Sequence, residues 1–252
     1  MIIAQISDTH IALDTPDADR RLQDFEATIA DINGLSQTPD VIVHTGDIVQ
    51  NGLAEEYQAA ADILKKAKAP VYLMVGNKDD RAVLRDEFPE ARYLHKNSEF
   101  ISYSVEDFPV RLIMLDTLNP GSNKGEFCEK RQQEFAELVG TDLEKPIAVF
   151  AHHPPFVVDE GPEPLHFGSD DNLNHFRGAL MAIPSINGVF CGHVHRAVTG
   201  MIGTTPALVM TSTATVLRWG NYPQSMKDCP VYQVHHHEPK WGFTSRTEVV
   251  PS

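Results

Sequence analysis

Short apolar runs alternate with helical stripes over the first third of the chain. Ile2-Ile3-Ala4-Gln5-Ile6 is β-branched and apolar, the composition of a buried strand, and it stops at Ser7-Asp8-Thr9-His10. Within 19–35, Leu22, Phe25, Ile29 and Ile32 fall at helical spacing, ending near Gly34. Val41-Ile42-Val43-His44 is a second short strand, ending at Thr45-Gly46-Asp47. Leu53, Tyr57, Ala60, Leu64 and Ala67 share one helical face before Pro70, and Val71-Tyr72-Leu73-Met74-Val75 then leads to Gly76-Asn77-Lys78-Asp79. A β-α-β-α-β order with such short buried strands implies parallel pairing through right-handed crossovers. In sheets of that kind, ligands bind just beyond the carboxyl ends of the strands.

The middle of the chain differs. Phe100–Val105 and Arg111–Leu115 read as strands separated by a short acidic turn, hence a hairpin, and Phe135, Leu138 and Val139 mark a helix after it. Ile147–Phe150 is a further buried strand, stopping at Ala151-His152-His153-Pro154-Pro155. A Pro- and Gly-rich loop over 154–171 is long enough to be functional. Leu173, Phe176, Leu180 and Ile183 form another helical stripe, and Gly188–Cys191 is a strand ending at Gly192-His193-Val194-His195. Residues 198–250 carry several β-like runs with little helical pattern. With no repeat, low-complexity segment or linker, 1–252 reads as a single α/β domain.

Composition narrows the function classes. The net charge of −14 disfavours a nucleic acid polymer or an anionic membrane as the main partner, although bound dications can reverse the sign locally for a small anionic substrate. The chain lacks an apolar run of the roughly 18 residues a membrane span needs, no secretory signal is expected because a strand begins at Ile2 without a basic stretch before it, and the three scattered cysteines fit a reducing, cytoplasmic compartment.

The strand exits carry the chemistry. Asp8/His10, Asp47, Asn77, His152 and His193/His195 are all oxygen or imidazole donors, and glycine precedes three of the groups, at Gly46, Gly76 and Gly192. Each group alone reads equally well as a cap, a turn or a core histidine. Together they place seven donors at one edge of the strands. In extended chain, Asp8 and His10 would point the same way, as would His193 and His195. Seven donors are too many for one tetrahedral ion and suit two cations about 3.5–4 Å apart that share a carboxylate. Asp47, in the middle strand, is the expected bridge. Such a pair generates hydroxide near neutral pH for in-line attack on phosphorus.

Asp8-X-His10, Gly46-Asp47, Gly76-Asn77, His152 and Gly192-His193-X-His195 occur in the order and approximate spacing of the calcineurin-like metallophosphoesterases, which the chain resembles from Ile2 to about His195. The runs Ile6–His10, Gly46–Val49 and His152–Pro155 look most like the bacterial class III cyclic-nucleotide phosphodiesterases and the related glycerophosphodiesterases. The resemblance implies a four-layer αββα sandwich of two mixed sheets and a binuclear Mn, Fe, Zn or Co centre. It places Asp8, His10 and His195 on one metal, Asn77, His152 and His193 on the other, and Asp47 between them. It implies hydrolysis of small phosphodiesters, cyclic nucleotides (3′,5′ or 2′,3′) first, with glycerophosphodiesters or monoesters as the alternative. A non-catalytic interaction module on the same fold is the alternative of another class. Family members often form dimers, so a homodimer stays open.

One position departs from the family pattern. Lys78 stands where the motif has histidine, a residue that in the family contacts phosphate and is a candidate proton donor. Lysine has no acceptor but can donate to a phosphate oxygen. Lys78 is therefore expected to clamp the substrate beside Asn77, and less directly to donate a proton. His10 is a further candidate for proton handling, after its role as a ligand.

Other residues carry plainer expectations. His153 should point away from His152 and support it. Asp79 should cap a helix beginning near Asp80, while His44 and Cys191 should be core. His235-His236-His237 alternates faces and should lie outside the site. His166 and Phe167 could cover the cleft and stack on a base.

Overall fold

A computed structural model of the chain describes residues 1–95, 98–158 and 166–251. The first strand, β1 (Ile2–Ile6), is followed by α1 (Ala18–Gly34), β2 (Val41–His44), α2 (Ala54–Leu64), β3 (Val71–Leu73) and α3 (Arg81–Glu87). The hairpin β4 (Tyr103–Val105) and β5 (Arg111–Leu115) comes next, then α4 (Glu129–Val139), β6 (Ile147–Ala151), α5 (Asp170–Met181) and β7 (Ile186–Cys191). The chain closes with β8 (Val198–Ile202), β9 (Thr205–Val209), the short α6 (Gln224–Lys227), β10 (Val231–Glu238) and β11 (Gly242–Val249). Residues 159–165 of the expected Pro- and Gly-rich loop lie outside the described residues.

The strands form two mixed sheets, ordered β11-β10-β1-β2-β3 and β4-β5-β6-β7-β9-β8. β1, β2 and β3 pair in parallel, as the β-α-β-α-β reading expects, and β5, β6, β7 and β9 also pair in parallel. The antiparallel additions are β10 against β1, β11 against β10, β4 against β5 and β8 against β9.

Alternation along the second sheet builds the layers. Leu112, Met114, Ala148, Phe150 and Phe190 turn toward the first sheet and share its core. The intervening Ile113, Leu115, Val149 and Val189 turn toward Phe135 of α4 and Leu173, Phe176 and Leu180 of α5. α1 and α2 cover the other sheet through Phe25, Ile29, Tyr57 and Leu64, giving the order αββα. Each fully buried Leu or Phe stabilises this arrangement by about 1.5–3 kcal/mol.

Three core expectations stand. His44 is fully buried, edge-on to Phe25, and burial pushes its imidazole down to about 3. Cys191 is buried, which pushes its thiol up and removes its reactivity. In β10, His235 and His237 are buried while His236 faces outward. His235 bonds Gln5 Oε1 and Ser245 Oγ between the sheets and is in neither group of converging donors. No helix among the described residues is long and apolar enough to cross a membrane.

Candidate metal centre

Parallel strands deliver their exits to one edge, and there the donors meet. Among the described residues, Asp8, His10, Asp47 and His195 bring one donor atom each to within 4.8 Å of one another, and His152, His153 and His193 form a second such group. Asp47 faces both. Its Oδ2 lies 3.3 Å from His10 Nε2, and its Oδ1 lies 3.5 Å from His152 Nε2. His195 Nε2 is 3.3 Å from Asp8 Oδ1, and Asn77 Oδ1 is 3.2 Å from His152 Nε2.

The backbone reaches this arrangement by a route the strand periodicity does not give. Asp8, His10, Asp47, His193 and His195 have φ of 55°, 43°, 50°, 74° and 56°. They are the non-glycine residues with positive φ among those described, and each costs roughly 1–3 kcal/mol. The i, i+2 pairs therefore converge through left-handed turns, and the extended-chain expectation for them is corrected. Five of the seven proposed donors carry the strain, which is where functional sites store it. The loops are stitched to one another: Asp8 N donates to Gly46 O, His10 N to Asp47 O and Ile11 N to Ile48 O.

Glycine at the exits serves close approach. A Cβ on Gly192 would lie 1.9 Å from Ser7 Oγ and 2.6 Å from Asp8 Oδ2. Gly46 adds a φ of +95° to a Cβ position 2.8 Å from His152 Nδ1. Only a residue without a side chain brings these segments together.

Hydrogen bonding fixes how the imidazoles face. His152 Nδ1 donates to Thr45 O at 2.8 Å, His195 Nδ1 to Leu217 O at 3.0 Å and His10 Nδ1 to Gln50 Oε1 at 3.1 Å. All three thereby aim Nε2 inward, as metal-binding histidines do. The His10 and His195 Nε2 atoms lie only 3.0 Å apart. Two lone pairs at that distance repel unless a proton or a cation lies between them. His193 Nε2 is buried without a hydrogen-bond partner. Imidazole, carboxylate and amide oxygen together fit Mn, Fe, Co or Zn, so the residues present match a dinuclear centre.

The electrostatics follow from burial and mutual contact. Burial pushes the Asp8 carboxyl up, but its contacts with His10 and His195 outweigh that and hold Asp8 well below the usual range. Burial likewise opposes ionisation of Asp47, and the field of His152 and His10 reverses that. Burial drives His152 down while the neighbouring Asp47 drives it up, to about 9. Burial and the other imidazoles hold His193 and His153 well below their usual values.

Several expectations change here. His153 does not point away from the site. β6 ends at Ala151, so strand alternation no longer applies, and the His153 ring lies 4.3 Å from that of His193. Its Nδ1 meets Thr117 Oγ1 at 2.8 Å. Asp79 does not cap α3; Asp80 does, accepting from Ala82 N and Val83 N. Asp79 instead accepts from Ile48 N, Val49 N, Gly76 N and Tyr57 OH, tying the Asp47 exit to the Asn77 exit. Burial, and then the charge of Asp47, push its carboxyl up to about 7. Phe167 is buried against Phe176 and His153, and His166 is buried with it, so neither is presented for base stacking.

Asn77 and Lys78 line a cleft of about 260 Å³ with His10, Asp47, His193 and His195. Lys78 N donates to Asp47 Oδ1 at 2.8 Å. The cleft is also lined by Val194, within the Gly192-His193-X-His195 motif, and by Asn123 and Trp219, which carry no motif in the sequence. Asn123 Oδ1 accepts from Asn77 Nδ2 at 3.5 Å, and Trp219 N donates to His195 O. Gln50 was also missed, although its place three residues after Asp47 put it on the same loop.

Comparison with known proteins agrees with this geometry. The family model described as calcineurin-like phosphoesterase matches residues 1–197. A protein of Arcobacter nitrofigilis named a probable glycerophosphodiester phosphodiesterase is 31% identical over 261 residues, covering 99% of this chain and 93% of its own. One from Fibrobacter succinogenes named a probable cyclic nucleotide phosphodiesterase is 27% identical, covering 84% and 79%. Among solved structures, a dimetal phosphatase from Danio rerio superposes with a TM-score of 0.71 at 12% identity, covering 100% of this chain and 99% of its own.

Proposed function

The chain belongs to the calcineurin-like phosphoesterase family, and on that premise we propose that it is a metal-dependent phosphodiesterase acting on small diesters. The observation that carries the reading is Asp47, whose two carboxylate oxygens face two separate donor groups. We assign Asp8, His10 and His195 to one divalent cation, Asn77, His152 and His193 to the other, and Asp47 to both. When bound, such a pair lowers the pKa of water and neutralises charge building on the phosphoryl oxygens.

The chain's own groups do the rest. The Asn77 amide and the Lys78 ammonium, on one wall of the cleft, donate to a phosphoryl oxygen as its charge grows. His152 and His195 keep Nδ1 protonated through backbone carbonyls, so their inner nitrogens stay available as donor atoms. His10 acts as a ligand first and, at the same cleft, as a group that can handle a proton. A cleft of about 260 Å³ is on the scale of a small diester.

Cyclic nucleotides, 3′,5′ or 2′,3′, are the first substrate class, supported by the sequence motifs and by the Fibrobacter succinogenes relative. Glycerophosphodiesters are a second reading, favoured by the relative that spans 99% of the chain. Three free cysteines are consistent with a cytoplasmic setting.

The test is hydrolysis of 3′,5′- and 2′,3′-cyclic nucleotides, glycerophosphodiesters and a monoester by Mn²⁺-loaded protein, with and without chelator. Chelator-sensitive diester turnover is expected. Turnover that survives chelation would contradict the metal reading, and a preference for the monoester would contradict the diester reading.

A further inference from the structure

We propose that Arg21 and Gln50 act together as a positioning pair that sets which nitrogen of His10 faces the cleft, and so sets the cation affinity of the Asp8/His10/His195 group. The inference rests on the metal-centre reading above and adds residues outside the donor set.

His10 differs from its partners in how its outer nitrogen is held. His152 and His195 donate Nδ1–H to backbone carbonyls, which can only accept. His10 donates to the side-chain amide of Gln50, which can present either an oxygen or an NH₂. The choice matters because the opposite tautomer is well accommodated here. A proton on His10 Nε2 would find Asp47 Oδ2 at 3.3 Å and Asp8 Oδ1 at 3.8 Å. That arrangement would fill the donor position with a hydrogen bond. Something must therefore oppose it.

Arg21 does so. It reaches in from α1, is 6% exposed, and its Nη1 donates to Gln50 Oε1 at 3.0 Å and to His10 O at 3.0 Å. A guanidinium has no acceptor, so Gln50 must turn its oxygen toward Arg21. The same oxygen lies 3.1 Å from His10 Nδ1, which must then carry the proton. Gln50 itself is anchored by its backbone N–H to Ile11 O, beside the His10 loop. Burying this guanidinium leaves its Nε without a partner, a cost that core packing alone does not explain.

The test uses the full chain, Mn²⁺ as the probe and two readouts. In metal-free protein, ¹⁵N NMR of His10 should show the Nδ1–H tautomer. Electron paramagnetic resonance titration should show two Mn²⁺ per chain in the wild type. In Gln50→Leu and in Arg21→Met, one Mn²⁺ should bind about 10- to 100-fold more weakly while the other is unchanged. Gln50→Glu, whose carboxylate can only accept, should restore wild-type affinity and tautomer. Wild-type His10 found as Nε2–H would overturn the proposal without recourse to any variant. Folded Gln50→Leu that keeps both affinities would overturn it as well. Wild-type protein that takes up no Mn²⁺ would instead overturn the underlying centre, and the inference with it.

Discussion

His235 should make the fold acid-sensitive at a place with no role in catalysis. It is fully buried between the sheets, its ring centroid 4.0 Å from that of Phe190, and burial pushes its imidazole down to about 3. In the unfolded chain it returns to about 6.5. The folded pKa is depressed, so the stabilisation is present above pH 6.5 and is lost as pH falls toward 3. Between pH 7 and 5 only the unfolded chain takes up the proton, which removes about 2 kcal/mol; over the whole interval the loss reaches about 5 kcal/mol. His44, held down to about 3 in the same way, adds a comparable amount. His235→Gln should therefore abolish about half of the joint effect. The assay is urea unfolding at pH 7 and pH 5 with chelator present, so that metal uptake does not contribute. The remaining titrating groups are common to both chains and cancel in the comparison. The variant should lose about 2 kcal/mol less than the wild type over this interval. Equal losses would refute the claim that His235 stays neutral in the fold.

Gly192→Ala would push a methyl group to 1.9 Å from Ser7 Oγ and 2.6 Å from Asp8 Oδ2; about 1–3 kcal/mol of stability should be lost in chemical unfolding, and Mn²⁺ uptake at the Asp8 group should weaken. Phe167→Ala should cost about 3–5 kcal/mol in the same assay while leaving KM for a cyclic nucleotide unchanged, because Phe167 packs in the core and not over the cleft. Lys78→Ala should lower kcat/KM for a diester by roughly 100-fold with Mn²⁺ stoichiometry unchanged; an unaltered rate would remove Lys78 from the chemistry.

The fold was legible because its signals are local and repeated. Each of the parallel strands β1, β2, β6 and β7 is a short apolar run, and each ends at a potential metal donor, a recurrence that no single exit would make informative. The convergence of the candidate donors was legible for the same reason. What escaped was whatever depends on contacts distant in sequence or on backbone that leaves the strand. The left-handed turns at Asp8 and His193 cannot be read from a period of two, and the end of β6 at Ala151 rotated His153 into the site. Asp79 was misassigned by a single position because Asp80 is an equally good cap, and only the Asp47 loop, 31 residues away, shows what Asp79 holds. Phe167 looked like a loop aromatic until α5 supplied Phe176 to cover it. Trp219 and Leu217 reach the site from a segment without any motif, through backbone contacts to His195 that no side-chain pattern encodes.

Anomalous diffraction from a crystal of the Mn²⁺-loaded protein, collected at the manganese edge, measures the centre itself. Two peaks are predicted, one against Asp8, His10 and His195 and the other against Asn77, His152 and His193, with Asp47 touching both. A single peak, or a second peak held without Asp47, would contradict the two-cation centre.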